Sequence, residues 1–453
     1  MICIENRDPA APGRQANFVF VVTLIAVLSL SACGGGSTPK QTLPVFYAGD
    51  TAVPVSGPNV AGVEPFDAGV SALLKRWNIP GATVAVAKNG QLILARGYGY
   101  ADFEDKQLMQ PDSMFRIGSN SKVLTSMAIL HLKEQGLIDL DAKFLTILTQ
   151  YQVTSGGDTR IRDITIRDLL RHSGGWDRDK TGDPMGWQGT ISRGLGIPMP
   201  VLCPDVIRYM MGQPLDFAPG TKQVYSNLGF CILGRVIEKV SGEPYELYIR
   251  NHVLDPMDVH AMSIGYSHHL SERGPYEVKY YEYNGAPLVD SIFPGEGKVP
   301  ANYGGFEILT LDSCGGWIGS AIDLTRAMTA IDGSRSGPFL LPATMAEFTA
   351  DPGLPDWNTD PRYWYGLGIF VGPNPQTWYH GGSIEGTESL WLRDGNGYTW
   401  SIMTNSESQD PGKLSQDLDA TMLQALGSGL SGSSTDLYPQ FLSTDLPPRT
   451  NEK

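Results

Sequence analysis

A serine followed three residues later by a lysine sets a hydroxyl beside an amine when both fall in one helical turn. Ser119-Asn-Ser-Lys122 meets that condition, because Val123 to Gln135 reads as a helix closed by Gly136. The positive potential at a helix start would also favour an anion developing at Ser119. Spacing alone is unspecific: Ser37-Thr-Pro-Lys40 repeats it in a stretch without helical periodicity. Only Ser119 opens a helix directly after a sheet element. The plainer alternative is a capping serine and a solvated lysine.

Tyr225-Ser-Asn227 is the only Tyr-x-Asn in the chain and leads into an apolar helix through Val240. A phenol and an amine both titrate near 10 in water, so either is a base at neutral pH only where its surroundings shift it. Set together beside a serine, each would stabilise the deprotonated form of the other. The alternative is a half-buried tyrosine hydrogen-bonded at a turn. A third candidate is Trp378-Tyr-His380-Gly381-Gly382-Ser383, ahead of an expected strand at 387–393. Glycines beside an edge strand let a substrate approach the backbone closely. Because His172-Ser-Gly174 repeats the His-x-Gly pattern, position is what singles out His380 from a simple strand-entry turn.

Positioning these groups falls to elements at both ends of the chain. Phe66, Val70, Leu73, Leu74 and Trp77 recur at helical spacing over 65–78. Thr83 to Lys88 and Gln91 to Arg96 flank Asn89-Gly90, a two-residue hairpin signal. Thr387 to Arg393 and Tyr398 to Thr404 form a second hairpin, followed by a helix with Leu414, Leu418, Met422, Ala425 and Leu426 on one face. Between them, about 120–330 reads as mostly helix and long loops. The expected fold is α/β of the α+β type. One antiparallel sheet is built from both chain ends and flanked by helices, with a mostly helical subdomain inserted.

The chain has 453 residues, 41% hydrophobic and 18% charged, which predicts a packed body and not a disordered one. Its formal net charge of −14 argues against a nucleic-acid partner. The apolar run Phe18 to Leu30 spans 13 residues, too short to cross a bilayer as a helix of about 20. It ends in Leu30-Ser-Ala-Cys33, which resembles the bacterial lipoprotein box, with Cys33 as the lipidated residue. Residues 1–32 are then a lipoprotein signal peptide, 33–60 a flexible tether, 61–427 the body and 428–453 a peripheral tail. The expected address is the cell envelope, anchored by lipid, with the outer membrane favoured over the inner by Gly34; a plain secreted protein is the alternative.

Cys203, Cys231 and Cys314 remain once the leader and Cys33 are set aside, which permits one disulfide whose pairing is open. No zinc spacing occurs, and His268-His269 has no partner at ligand spacing, so neither a metal nor a cofactor is expected.

Together, Ser119-x-x-Lys122, Tyr225-x-Asn227 and His380-Gly-Gly382 resemble the serine β-lactamase and penicillin-binding-protein superfamily on its class C branch. That branch includes β-lactamases, D-alanyl-D-alanine carboxypeptidases and family VIII esterases. Supporting phrases are Leu169-Leu-Arg-His172-Ser-Gly-Gly175, Phe217-Ala-Pro-Gly220, Cys314-Gly-Gly-Trp-Ile-Gly-Ser320 and Tyr365-Gly-Leu-Gly368, and the likeness runs over about 65–427. It implies Ser119 as acylated nucleophile, Lys122 and Tyr225 as the general base pair, and Asn227 as a hydrogen-bonding group for substrate. Backbone amides of Ser119 and Ser383 would form the oxyanion hole, with His380 and Gly382 beside the substrate.

β-Lactamases of this kind usually carry Lys where His380 stands, and Thr is common where Gly381 stands. A neutral histidine removes a charge that attracts a carboxylate, which favours a carboxylesterase for short or medium acyl esters. A D-alanyl-D-alanine carboxypeptidase or weak β-lactamase is the second reading, and a non-catalytic envelope binding protein the third. No Gly-x-Ser-x-Gly elbow occurs, which disfavours a standard α/β-hydrolase. Trp176, Trp187, Trp317 and Tyr303 lie in loops that the resemblance sets around the cleft, as pocket lining or as structural aromatics.

Overall fold

The computed structural model describes residues 39–441 apart from 267, 275 and 356–359. The leader, Cys33 and residues 442–453 lie outside the described residues.

Eight strands, numbered here in chain order, make up the path of the main sheet. They are β1 (Val55–Ser56), β2 (Gly81–Lys88), β3 (Gln91–Asp102), β4 (Trp364–Tyr365), β5 (Phe370–Val371), β6 (Trp378–Ile384), β7 (Thr387–Arg393) and β8 (Tyr398–Thr404). Their spatial order is β1-β3-β2-β8-β7-β6-β5-β4, with Gln107–Leu108 added on β3, and neighbours run antiparallel. The sheet therefore joins both chain ends at β2 and β8, as the sequence predicts. The β2–β3 turn has Asn89 at φ 48° and Gly90 at φ 81°, the doubly positive geometry of a tight hairpin turn.

Side chains alternate across this sheet because the strand period is two. Val84, Val86, Leu390, Leu392, Trp400 and Ile402 face helices α1 (Glu64–Trp77) and, late in the chain, Pro411–Gly427. Ala85, Trp391 and Met403 face the other way, toward α2 (Ser121–Glu134), α3 (Cys203–Met210), α4 (Asn227–Ser241) and α5 (Ala321–Ile331). The helix Pro411–Gly427 is α6. Cys203 and Cys231 form the disulfide between α3 and α4, with Cα atoms 5.9 Å apart, and Cys314 is a buried free thiol.

Two expectations need correction. Residues 39–60 are not a free tether: Phe46 and Tyr47 are buried, Phe46 meets Phe103 and Tyr281 edge-on, and β1 pairs with β3. Aromatic residues inside a Gly- and Pro-rich stretch anchor it by burial. The start of the 428–453 tail is likewise packed, with Leu430, Leu437 and Tyr438 buried and the Leu437 amide bonded to Leu92. Of the aromatics left open between pocket lining and structure, Trp317 and Trp176 are buried, and Trp317 donates its indole N–H to Tyr245 at 3.1 Å as a core residue.

Candidate active site

Ser119 sits in a single helical turn, Gly118–Asn120, that runs straight into α2. Lys122 follows in the first turn of α2, and its Nζ donates to Ser119 Oγ at 3.0 Å and to the Cys314 carbonyl at 2.6 Å. The lysine is fully buried, so these two acceptors replace its hydration and fix its position.

Tyr225 arrives from the other side of the cleft. Its ring centroid is 4.8 Å from Lys122 Nζ, and Ser226 caps α4 by accepting the Gly229 amide at 3.3 Å. The peptide around Tyr225 is held by His172, whose carbonyl accepts the Val224 amide at 2.9 Å while Nδ1 accepts the Ser226 amide at 3.1 Å. Accepting at Nδ1 leaves the ring proton on Nε2, the neutral tautomer. Burial, then the charge of Lys122, pushes His172 well below the usual imidazole range. The residue adopts φ 60°, unusual outside glycine, which is how one residue offers both acceptors.

The His380 segment differs from expectation. It is no strand-entry turn but the middle of β6, with His380 opposite Trp391 and Gly382 opposite Ser389. Two adjacent glycines depress strand propensity, which hid this strand in the sequence. Gly382 is needed for a close approach within the protein: a Cβ there would lie 1.9 Å from the Ile117 carbonyl oxygen. His380 is likewise enclosed by the protein. It is 1% exposed, with Nδ1 2.6 Å from the Gly381 carbonyl and Nε2 3.1 Å from the Tyr365 hydroxyl. A carbonyl only accepts, so Nδ1 carries the proton and the Tyr365 O–H donates to Nε2. Burial, then Lys122, lowers His380 to about 3, and the ring is neutral.

Ser383 is half-buried, and its amide nitrogen faces the Ser119 turn; a Cβ on Gly118 would sit 2.9 Å from it. Ser389, on the neighbouring strand β7, ties that turn to β6. Its Oγ receives Asn120 Nδ2 at 2.8 Å and lies 3.1 Å from both the Ile117 and Gly382 carbonyls. Asn227, the first residue of α4, donates Nδ2 to Asp183 Oδ2 at 2.5 Å. Arg178 lies 5.1 Å from the Tyr225 ring centroid.

The fold thus brings Ser119, Lys122, Tyr225 and Ser383 together from the start of α2, the segment ahead of α4 and strand β6, with Asn227 two residues beyond Tyr225. Residues 66–421 match the beta-lactamase family model. The chain belongs to the β-lactamase family. Its fold is shared with the octameric penicillin-binding protein homologue from Pyrococcus abyssi, at 21% identity and TM-score 0.61 over 80% of this chain and 77% of that one. EstCE1, a hydrolase with promiscuous acyltransferase activity, matches at 21% identity and TM-score 0.60, covering 80% of this chain and 98% of that one. In sequence the chain is similar to protein flp of Staphylococcus aureus (strain COL), 30% identical over 218 residues. That match spans 48% of this chain and 41% of the relative, so the chain covers less than half the relative's length.

His172, Tyr365, Asp183, Arg178, Ser389 and the Cys314 carbonyl carry parts of the site that sequence reasoning did not assign. His172, Cys314 and Tyr365 stood inside the supporting phrases, whereas Asp183 and Ser389 left no linear signal. Away from the cleft, Glu296 comes within 2.8 Å of His268, a ligand-type partner that linear spacing did not reveal.

Proposed function

We propose that this β-lactamase-family chain is a serine hydrolase working through an acyl-enzyme on Ser119, with esters of short or medium acyl chains as substrates. The observation that carries the ester reading is His380: buried, neutral, and engaged at both ring nitrogens within the protein. The His380 side chain itself offers no positive charge to a substrate carboxylate, and the Asp183 carboxylate beside Asn227 repels one.

In this mechanism the Ser119 proton passes to the Lys122–Tyr225 pair as Oγ bonds to the carbonyl carbon. Amides of Ser119 and Ser383 hold the resulting oxyanion; one such donor typically supplies about 2.7–4 kcal/mol. Collapse breaks the carbon–oxygen bond to the alcohol, which takes up the proton. Water, deprotonated by the same pair, then attacks the acyl carbon and releases the acid and free Ser119. Asn227 orients the substrate.

The cell-envelope address, with Cys33 lipidated, belongs to the same proposal. The Cys203–Cys231 disulfide supports an oxidising compartment, where such bonds persist.

A D-alanyl-D-alanine carboxypeptidase is the second reading. It is favoured by Arg178, a cation near Tyr225 that offers an alternative seat for a terminal carboxylate. A panel of p-nitrophenyl acetate, butyrate and octanoate, nitrocefin and a D-Ala-D-Ala peptide separates the two. The ester reading expects the highest kcat/KM on acetate or butyrate. Preference for the peptide, with stable penicillin labelling, would replace it.

A further inference from the structure

We propose that His268, His269 and Glu296 form a binding site for one divalent transition-metal ion, Zn2+ by preference, outside the catalytic cleft. His268 Nε2 lies 2.8 Å and His269 Nε2 3.5 Å from the same oxygen, Glu296 Oε1. One ligand atom from each residue falls within 4.8 Å of the others.

Consecutive side chains on extended backbone point to opposite sides. Here they converge: the two imidazole centroids are 3.6 Å apart and tilted by 31°. The turn that does this is fastened by Glu272, whose Oε2 accepts the amides of both His268 (3.1 Å) and His269 (3.0 Å). Glu296 is aimed by Ser291, whose hydroxyl donates to Oε2 at 2.7 Å and leaves Oε1 facing the rings. That is the outer-shell support that metal-ligating carboxylates receive.

Tetrahedral zinc takes nitrogen and oxygen donors at about 2.0–2.2 Å, which sets donor–donor separations near 3.3 Å. The separations of 2.8 and 3.5 Å bracket that value. A hydrogen bond to Glu296 accounts for His268 at 2.8 Å but not for the convergence of His269, whose nitrogen stays 3.5 Å from the same oxygen. Two imidazoles and a carboxylate suit Zn2+ over Ca2+ or Mg2+. Side-chain exposures of 18%, 54% and 26% leave room for water as a fourth ligand.

The ion would join two loops. His268 and His269 lie beyond the short strand Ser263–Ile264, and Glu296 lies in the hairpin of Val289–Asp290 with Lys298–Val299. The same hairpin runs on to Asn302, whose carbonyl accepts Arg116 NH1 at 3.0 Å, three residues before Ser119. Its role is therefore a brace for the lobe beside the cleft.

The test is calorimetric titration of ZnCl2 into the tag-free, EDTA-treated protein, with Co2+ absorption as a second probe of coordination. The expected result is saturable binding of one ion per chain, a tetrahedral cobalt spectrum and a higher melting temperature with Zn2+. Glu296→Gln, and separately the pair His268→Ala with His269→Ala, should abolish it. Ser291→Ala should weaken it about tenfold. Absence of saturable binding in the parent protein overturns the proposal, as does binding that survives unchanged in Glu296→Gln.

Discussion

The His172 ring lies 4.2 Å, centroid to centroid, from that of Tyr225, and His172 also holds the peptide groups on both sides of it. The phenol is thus positioned by a buried, neutral imidazole. His172→Ala frees the 224–226 segment, and a displacement of about 1 Å in a reacting group can cost roughly 100-fold in rate. Steady-state kinetics on p-nitrophenyl butyrate should show kcat falling by about that factor with KM little changed. A variant with parental kcat would remove His172 from the account.

Ser389 performs the same service for the nucleophile. Ser389→Ala leaves Asn120 Nδ2 without its acceptor in a buried place, a loss of roughly 1–3 kcal/mol in stability. Urea unfolding checks that magnitude, and kcat on the same ester should drop about tenfold as the Ser119 turn loosens from β6.

Under the ester reading, the Asp183 carboxylate bonded to Asn227 disfavours an anionic substrate. Asp183→Asn keeps the size and removes the charge. Relative kcat/KM for nitrocefin over p-nitrophenyl butyrate should rise about tenfold, the effect of roughly 1.4 kcal/mol of relieved repulsion. An unchanged ratio would place the substrate's charged end elsewhere.

Buried carboxyl groups set the alkaline side of stability. Burial raises Asp419 on α6 from 3.8 to about 8, and Glu407 from 4.5 to about 9. Between these limits the folded chain binds the proton and the unfolded chain does not. Stability therefore falls as pH rises, by about 1.4 kcal/mol per pH unit for each group. His380, at about 3 against an ordinary 6.5, acts oppositely and only below pH 6.5, where the unfolded chain takes the extra proton. Above pH 6.5 the carboxyl groups act without that offset. Asp419→Asn should raise the denaturation midpoint at pH 8 and leave it nearly unchanged at pH 4. Equal midpoints at pH 8 would contradict the assignment.

Much of this was legible because local pattern and tertiary environment agreed. The two hairpins and helices α1, α2, α4 and α6 announced themselves by alternation or by helical spacing, and Ser119, Lys122, Tyr225 and Asn227 lie at two of those helix starts. Strand β6 was not legible, since Gly381-Gly382 serves a close contact with Ile117 and suppresses the strand signal. Nor could spacing reveal Ser389, Asp183 or Glu296, which meet their partners only across the fold. The environment of His380 was hidden for the same reason: its partner Tyr365 becomes its neighbour only through sheet pairing that also buries it.

The account rests on covalent chemistry at Ser119, and mass spectrometry of the protein quenched during turnover of p-nitrophenyl butyrate tests it most directly. It predicts a butyryl adduct on the peptide containing Ser119, and neither adduct nor turnover in Ser119→Ala. An adduct on another residue, or hydrolysis that persists in Ser119→Ala, would contradict it.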